Sequence, residues 1–370
     1  LGPLLLGTLR DFDDEFTVEI EEAWTHAWQF LLGAMCRGYQ LSGETVLTHT
    51  LHPPDRRDAA ASPRTEQSPF APPPSSAGAE APPPPARTPS DSISLPAVHY
   101  VDRADTSIAW ALTGSAPGRS VLFLPAFLTH LELVWREPAY ARFLDRLGQL
   151  GQLLRFDRRG TGLSERGAQQ ASARDHADDA VAVLDAAGIG KVSVLAASES
   201  AFIAIELAAR YPERVQALVL VDAVAKARRS DDFAHGVGAE LEAWVAAELE
   251  AHWNRPSWLA RLAPTRAGDP NYTAWLAEFL RNTMTPRQAR LALQSMLSED
   301  VREACARITV PTLVLHKQDD PWVSEAAAAD LAARISDAEL VTIPGRDHLL
   351  YCDGTDAVLE EARLFFEAHG

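Results

Sequence analysis

The chain has 370 residues, an apolar fraction of 46% that is ordinary for a globular protein, and a formal charge of −17. That acidity excludes a nucleic-acid or anionic-membrane surface, either of which needs clustered Lys and Arg, and fits simple solubility. No apolar run approaches bilayer length, no basic-then-apolar leader opens the chain, and three cysteines without metal-type spacing (Cys36, Cys305, Cys352) point to free thiols and a cytoplasmic setting.

The sequence begins at Leu1 without methionine, as a fragment of something longer would. Residues 1–40 read as helix. Thr17 is placed to cap a first turn rich in Glu19, Glu21 and Glu22, which the helix dipole favours. Ile20, Ala23, Trp24, Ala27, Phe30, Leu31 and Met35 then recur at three- and four-residue intervals and make one apolar face. Leu4 to Leu9 supply only part of a partner for it, so this piece is incomplete alone.

Leu5-Leu6-Gly7-Thr8-Leu9-Arg10, Asp14-Glu15-Phe16-Thr17 and Glu22-Ala23-Trp24 resemble the last two helices of a bacterial globin of the flavohaemoglobin type. The resemblance covers roughly a tenth of the chain. It implies a haem ligand on an earlier helix, and that segment is absent. His26 reads as an ordinary surface or core histidine of the final helix, so no haem is expected here unless a missing upstream globin half is present.

Residues 41–96 are rich in Pro, Ala, Ser and Gly and carry almost no large apolar side chains. Such a segment cannot bury enough surface to offset its ordering entropy and is expected to be a disordered linker. Pro82 to Pro85 would form polyproline II, which leaves partner binding open beside the spacer reading.

From residue 97 to 370 the pattern changes. Apolar, β-branched runs predict strands at His99–Arg103, Ser107–Leu112, Ser120–Leu124, Leu153–Phe156, Val192–Ala196, Ala217–Val221, Thr312–His316 and Glu339–Ile343. Helical stretches fall between most of the later ones, at Ala139–Leu150, Ser172–Ala187, Ala201–Tyr211, Ser324–Ile335 and Asp356–His369. Short apolar runs separated by helices predict a mostly parallel sheet covered on both faces, and the first two strands suit an antiparallel start. Eight strands so arranged describe the α/β-hydrolase fold. Between about 223 and 308 the alternation stops, and a helical stretch with Trp244, Trp253, Trp258 and Trp275 is expected as a cap inserted after the sixth strand. These tryptophans read equally as packing anchors or as cavity lining.

Ser198, Asp320 and His348 each follow one of these apolar runs, and serine, acid, histidine is the chain order of that fold's triads. Ser198 would attack, His348 would take its proton, and Asp320 would orient the imidazole. Asp319 and Asp222 compete with Asp320 for the acid, and His316 with His348 for the base, although His316 precedes the acid. The elbow motif G-x-S-x-G reads Ala196-Ala197-Ser198-Glu199-Ser200, with neither glycine. The extra atoms are expected to cost on the order of 1 kcal/mol in crowding. An oxyanion would be met by the N–H of Glu199 and by a second donor from the loop Leu124-Pro125-Ala126-Phe127. Arg158, Arg159 and Gly160-Thr161-Gly162 read as a turn held by ion pairs and not as a phosphate loop, which would end in Lys-Ser/Thr.

Leu122-Phe123-Leu124-Pro125-Ala126-Phe127, Thr129-His130-Leu131-Glu132-Leu133 with Trp135, Arg155-Phe156-Asp157-Arg158-Arg159-Gly160-Thr161-Gly162-Leu163-Ser164, and Tyr211-Pro212-Glu213-Arg214-Val215 resemble the α/β-hydrolase modules found beside class III adenylate/guanylate cyclases. There the elbow usually reads Val-Ser-Glu-Gly, so Ser198 and Glu199 match and Ser200 departs. The wider hydrolase resemblance implies Phe127 as the second oxyanion donor. It implies a serine hydrolase for ester-like or other acyl small molecules, with no metal or organic cofactor. The cyclase-type resemblance carries the rival reading of a non-catalytic ligand-sensing regulatory module with a signalling or globin partner domain outside this sequence, and the globin resemblance a third, a fragment of a haem-globin sensor fused to a hydrolase.

Overall fold

Four central runs of Val, Leu and Ala have no polar alternation, as strands buried on both faces require. In the computed structural model they are β3 (Ser120–Leu124), β5 (Val192–Ala197), β6 (Val215–Val221) and β7 (Thr312–Lys317), all mutually parallel. The structure describes residues 95–103, 105–114, 118–166, 171–253 and 258–369, all within one compact unit, Arg87–Gly370. The globin-like segment of residues 1–40, Cys36 and nearly all of the expected linker lie outside the described residues.

Among the described residues the sheet has eight strands, in the order β1-β2-β4-β3-β5-β6-β7-β8. The remaining four are β1 (Val98–Asp102), β2 (Ser107–Thr113), β4 (Gln152–Phe156) and β8 (Glu339–Ile343). Only β2 runs against its neighbours, β1 and β4. The predicted strands match these to within two residues at either end.

Period-two side-chain placement divides each central strand between two apolar layers. Leu122, Leu124, Val194, Ala196, Leu218 and Leu220 face one layer, while Val121, Phe123, Leu195, Ala197, Val219 and Val221 face the other. Helix α1 (Pro138–Leu147) joins β3 to β4 and packs on the second layer; α2 (Ala173–Ala186) and α3 (Ser200–Arg210) cover the first. Helix α3 is apolar nearly all round, as a helix enclosed by sheet and neighbours must be. A capping box between Ser172 and Asp175 starts α2, contributing about 1 kcal/mol.

Between β6 and β7 come α4 (Ala239–Ala251), α5 (Leu259–Leu262), α6 (Pro270–Thr283), α7 (Pro286–Leu297) and α8 (Arg302–Cys305). Two later helices, α9 (Glu325–Arg334) and α10 (Thr355–His369), flank β8. Because β4 lies on one side of β3 and β5 on the other, the chain parts at the carboxyl ends of β3 and β5. Open α/β sheets bind ligands in that crevice.

Candidate active site

Ser198 sits between β5 and α3 with φ of 54°, in the left-handed region that an L residue enters only at a cost. The sharp turn is closed by the Ser198 N–H donating to Val221 O (2.9 Å) and by the Ala201 N–H donating to Ser198 O (3.1 Å). It forms without either customary glycine. Ala196 and Ser200 are both buried, and the Ser200 hydroxyl donates to the carbonyl of Pro125, at the exit of β3. The expected crowding at position 200 is therefore accompanied by a hydrogen bond that glycine cannot make.

The loop after β8 carries His348 to the same point. Its Nε2 lies 2.7 Å from Ser198 Oγ, and its Nδ1 lies 2.8 Å from Asp320 Oδ2. Asp320 follows β7, is fully shielded, and accepts the backbone N–H groups of Trp322 and Val323 on its other oxygen, each at 2.7 Å. The backbone N–H of His348 donates to Leu262 O (2.8 Å), which ties the histidine loop to the inserted helices. Burial works against charge on both side chains. The charge and hydrogen bond that each offers the other outweigh it, holding the imidazole above its usual 6.5 and the carboxyl below its usual range.

Asp319, Asp222 and His316 are placed differently. Asp319 is exposed. Asp222, after β6, is buried with φ of 48°. Its carboxylate accepts the Lys317 backbone N–H (2.8 Å) and lies 3.3 Å from the buried Lys317 ammonium. His316 is buried 3.6 Å from Asp222. Asp222, Asp320 and His348 bring potential metal-ligand atoms within 4.8 Å of one another, but Asp320 and His348 already engage each other and Asp222 faces a lysine.

Ser198, His348, Phe127 and Glu199 line one cavity of about 230 Å³. Among the described residues the backbone N–H groups of Phe127 and Glu199 have no protein acceptor. The cavity wall is apolar and partly aromatic, and no Lys or Arg among the described residues lines it. Trp244 and Trp258 of the inserted segment face this cavity. Trp253 and Trp275 instead anchor the core, donating to Met284 O (3.2 Å) and Leu133 O (3.0 Å). The two roles left open for these tryptophans thus fall to different residues.

The Arg158 side chain reaches the Glu199 carboxylate at 3.0 Å, both ends nearly buried. Gly162 in the same turn has φ of 51°, and a Cβ there would stand 2.2 Å from the Asp157 carboxylate, so no other residue fits. Arg159 pairs with Asp179 (2.6 Å). The turn is held by ion pairs and glycine geometry, and the sequence carried no sign that Glu199 was Arg158's partner.

Residues 119–355 match the family model described as alpha/beta hydrolase fold. The chain belongs to the α/β-hydrolase family. A protein of Azorhizobium caulinodans provisionally named carbamate hydrolase RutD is 30% identical over 212 residues, covering 55% of this chain and 77% of that one. The 2-(acetamidomethylene)succinate hydrolase of Mesorhizobium japonicum is 24% identical over 243 residues, 63% of this chain and 83% of its own. Among solved structures, the enol-lactonase of Burkholderia xenovorans LB400 aligns with a TM-score of 0.61 at 20% identity, over 73% of this chain and all (100%) of that one. These likenesses are to hydrolases, and this α/β-hydrolase is one.

Proposed function

We propose that this hydrolase cleaves neutral, largely apolar ester-like or other acyl substrates through a covalent acyl-enzyme on Ser198. The observation that carries the reading is the hydrogen-bonded series Ser198–His348–Asp320 at the floor of an apolar cavity. Ser198 Oγ attacks the acyl carbon while its proton passes to His348 Nε2; Asp320 fixes the tautomer and stabilises the imidazolium. The negative oxygen of the tetrahedral adduct is met by the N–H groups of Phe127 and Glu199. Collapse breaks the bond to the leaving group, which takes the proton from His348. Water then gives a proton to the same nitrogen, attacks the acyl carbon and releases the acid, and Ser198 recovers its proton. Besides the substrate and one water, these steps call only on groups of the chain and on no metal or organic cofactor.

The substrate class follows from the lining. The lining is largely apolar, and no Lys or Arg among its described residues stands ready to hold a substrate carboxylate. By its printed name the Mesorhizobium relative acts on a dicarboxylate, and this lining is unsuited to that charge. Neutral acyl chains gain about 25 cal/mol for each Å² of apolar surface they bury.

A second reading is a ligand-sensing module of the cyclase-associated type, in a cytoplasmic signalling protein with a cap at about 223–308 and a globin-like segment and linker ahead of the hydrolase unit. The elbow without either glycine, and the signalling company of the modules that this chain resembles, favour it. Turnover decides between the two. The full chain is expected to hydrolyse p-nitrophenyl butyrate, and folded Ser198→Ala is expected not to. A folded wild-type chain that binds such esters without turnover would leave only the sensor.

A further inference from the structure

We propose that Ser200 and Arg158 are positioning residues that set the two oxyanion donors against each other, so that the serine in place of the usual glycine serves the reaction. This rests on the serine-hydrolase reading above. The two donors lie on separate segments, Phe127 after β3 and Glu199 after β5, and the last pair between those strands is Leu124 with Ala196.

Side chains fix the spacing beyond that pair. The Ser200 hydroxyl donates to the Pro125 carbonyl, two residues before Phe127, and joins the first turn of α3 to the β3 exit. The Glu199 carboxylate is gripped by Arg158 at 3.0 Å, with side-chain exposures of 10% and 11%. Arg158 is in turn fixed to the Phe127 loop, because its own N–H donates to Thr129 Oγ1 (3.3 Å). Thr161 bridges both, lying 2.8 Å from Thr129 Oγ1 and donating to Arg158 O (2.7 Å). The contacts form a closed circuit from 125 to 200, 199 to 158, and 158 to 129.

Such a circuit matters because an oxyanion donor works only within a few tenths of an ångström of its position. A pair this shielded is screened less by salt and exchanges less readily with water than an exposed ion pair. Glycine at 200 would relieve crowding and also remove the link to Pro125. Motif logic and the structure therefore differ on what Ser200→Gly does.

The test compares the full wild-type chain with Ser200→Gly, Ser200→Ala, Arg158→Met and Arg158→Lys, using p-nitrophenyl butyrate and a trifluoromethyl ketone as tetrahedral-adduct analogue. Ser200→Gly, Ser200→Ala and Arg158→Met are expected to lower kcat about tenfold with KM nearly unchanged, and to weaken the analogue by a similar factor. Arg158→Lys, which keeps the charge, retains most activity. Stoichiometric fluorophosphonate labelling of Ser198 in every variant separates a misplaced hole from a failed nucleophile. If wild type turns over and Ser200→Gly matches or exceeds its kcat, or if the variants lose only melting temperature, the positioning role is overturned. An unlabelled, inactive wild type would sink this inference together with the reading beneath it.

Discussion

Nε2 of His348 lies 2.7 Å from Oγ of Ser198, a residue 150 positions earlier in the chain whose backbone sits at φ of 54°. The hydroxyl reaches the imidazole because the turn is held in a conformation that disfavours any side chain. Removing that side chain should thus stabilise the fold. Ser198→Gly is expected to unfold at higher urea than Ser198→Ala, by about 0.5–1 kcal/mol, after the greater flexibility of glycine in the unfolded chain is counted. Equal stabilities would mean that the turn carries no such cost.

Two carboxylates stand near His348, and they should separate cleanly. Asp320→Asn removes the partner of Nδ1 and is expected to cut kcat on the order of 10³–10⁴-fold with little loss of fold. Asp222→Asn leaves the Lys317 ammonium buried without its counter-charge, which costs about 3–5 kcal/mol of stability. The protein that still folds should keep kcat within about tenfold. Paired kinetics and thermal melts of the two variants check this, and a reversed pattern would move the acid to β6.

Activity and stability should move oppositely with pH. Only neutral His348 accepts the serine proton, and Asp320 holds its pKa above 6.5 despite burial. So kcat/KM should climb with pH through an inflection above 6.5. The stabilisation from that raised pKa is complete below 6.5 and is lost as pH rises through the folded value. Thermal melts across the same range should fall as the rate rises. In Asp320→Asn burial acts on His348 without that partner, so the rate inflection should move to lower pH and the fall in the melts should vanish or reverse.

Substrate charge should matter more than chain length. With no Lys or Arg among the described lining residues, neutral butyryl or hexanoyl esters should exceed the matching hemisuccinate in kcat/KM by at least about tenfold. Trp258→Ala should change the order among the neutral esters, whereas Trp253→Ala should lower the melting temperature. A hemisuccinate preferred over butyrate would contradict the assigned lining.

The strands are legible because the central sheet is buried on both faces, so each strand reads as an unbroken apolar run, and the three side chains proposed for the triad sit one to five residues beyond such runs. What escaped the sequence is contact at a distance. Nothing in Ser200 names the Pro125 carbonyl 75 positions away, and nothing in Arg158 names Glu199, 41 positions on. The tryptophans of the insertion were equally opaque. In Ala239–Ala251 the Ala, Leu, Val and Trp residues are spread around the helix, so no stripe marks which side meets the cavity. Position 200 shows only crowding in the sequence for the same reason: spacing reports size, while the hydroxyl's use depends on the fold.

The central claim is that Ser198 is a nucleophile activated by His348, and covalent labelling tests it most directly. Incubation of the full chain with a fluorophosphonate probe, followed by peptide mass spectrometry, should yield one adduct per chain on Ser198. The adduct should be absent in Ser198→Ala and formed at least about a hundredfold more slowly in His348→Ala. A folded wild-type chain that stays unlabelled, or labels elsewhere, would contradict the account.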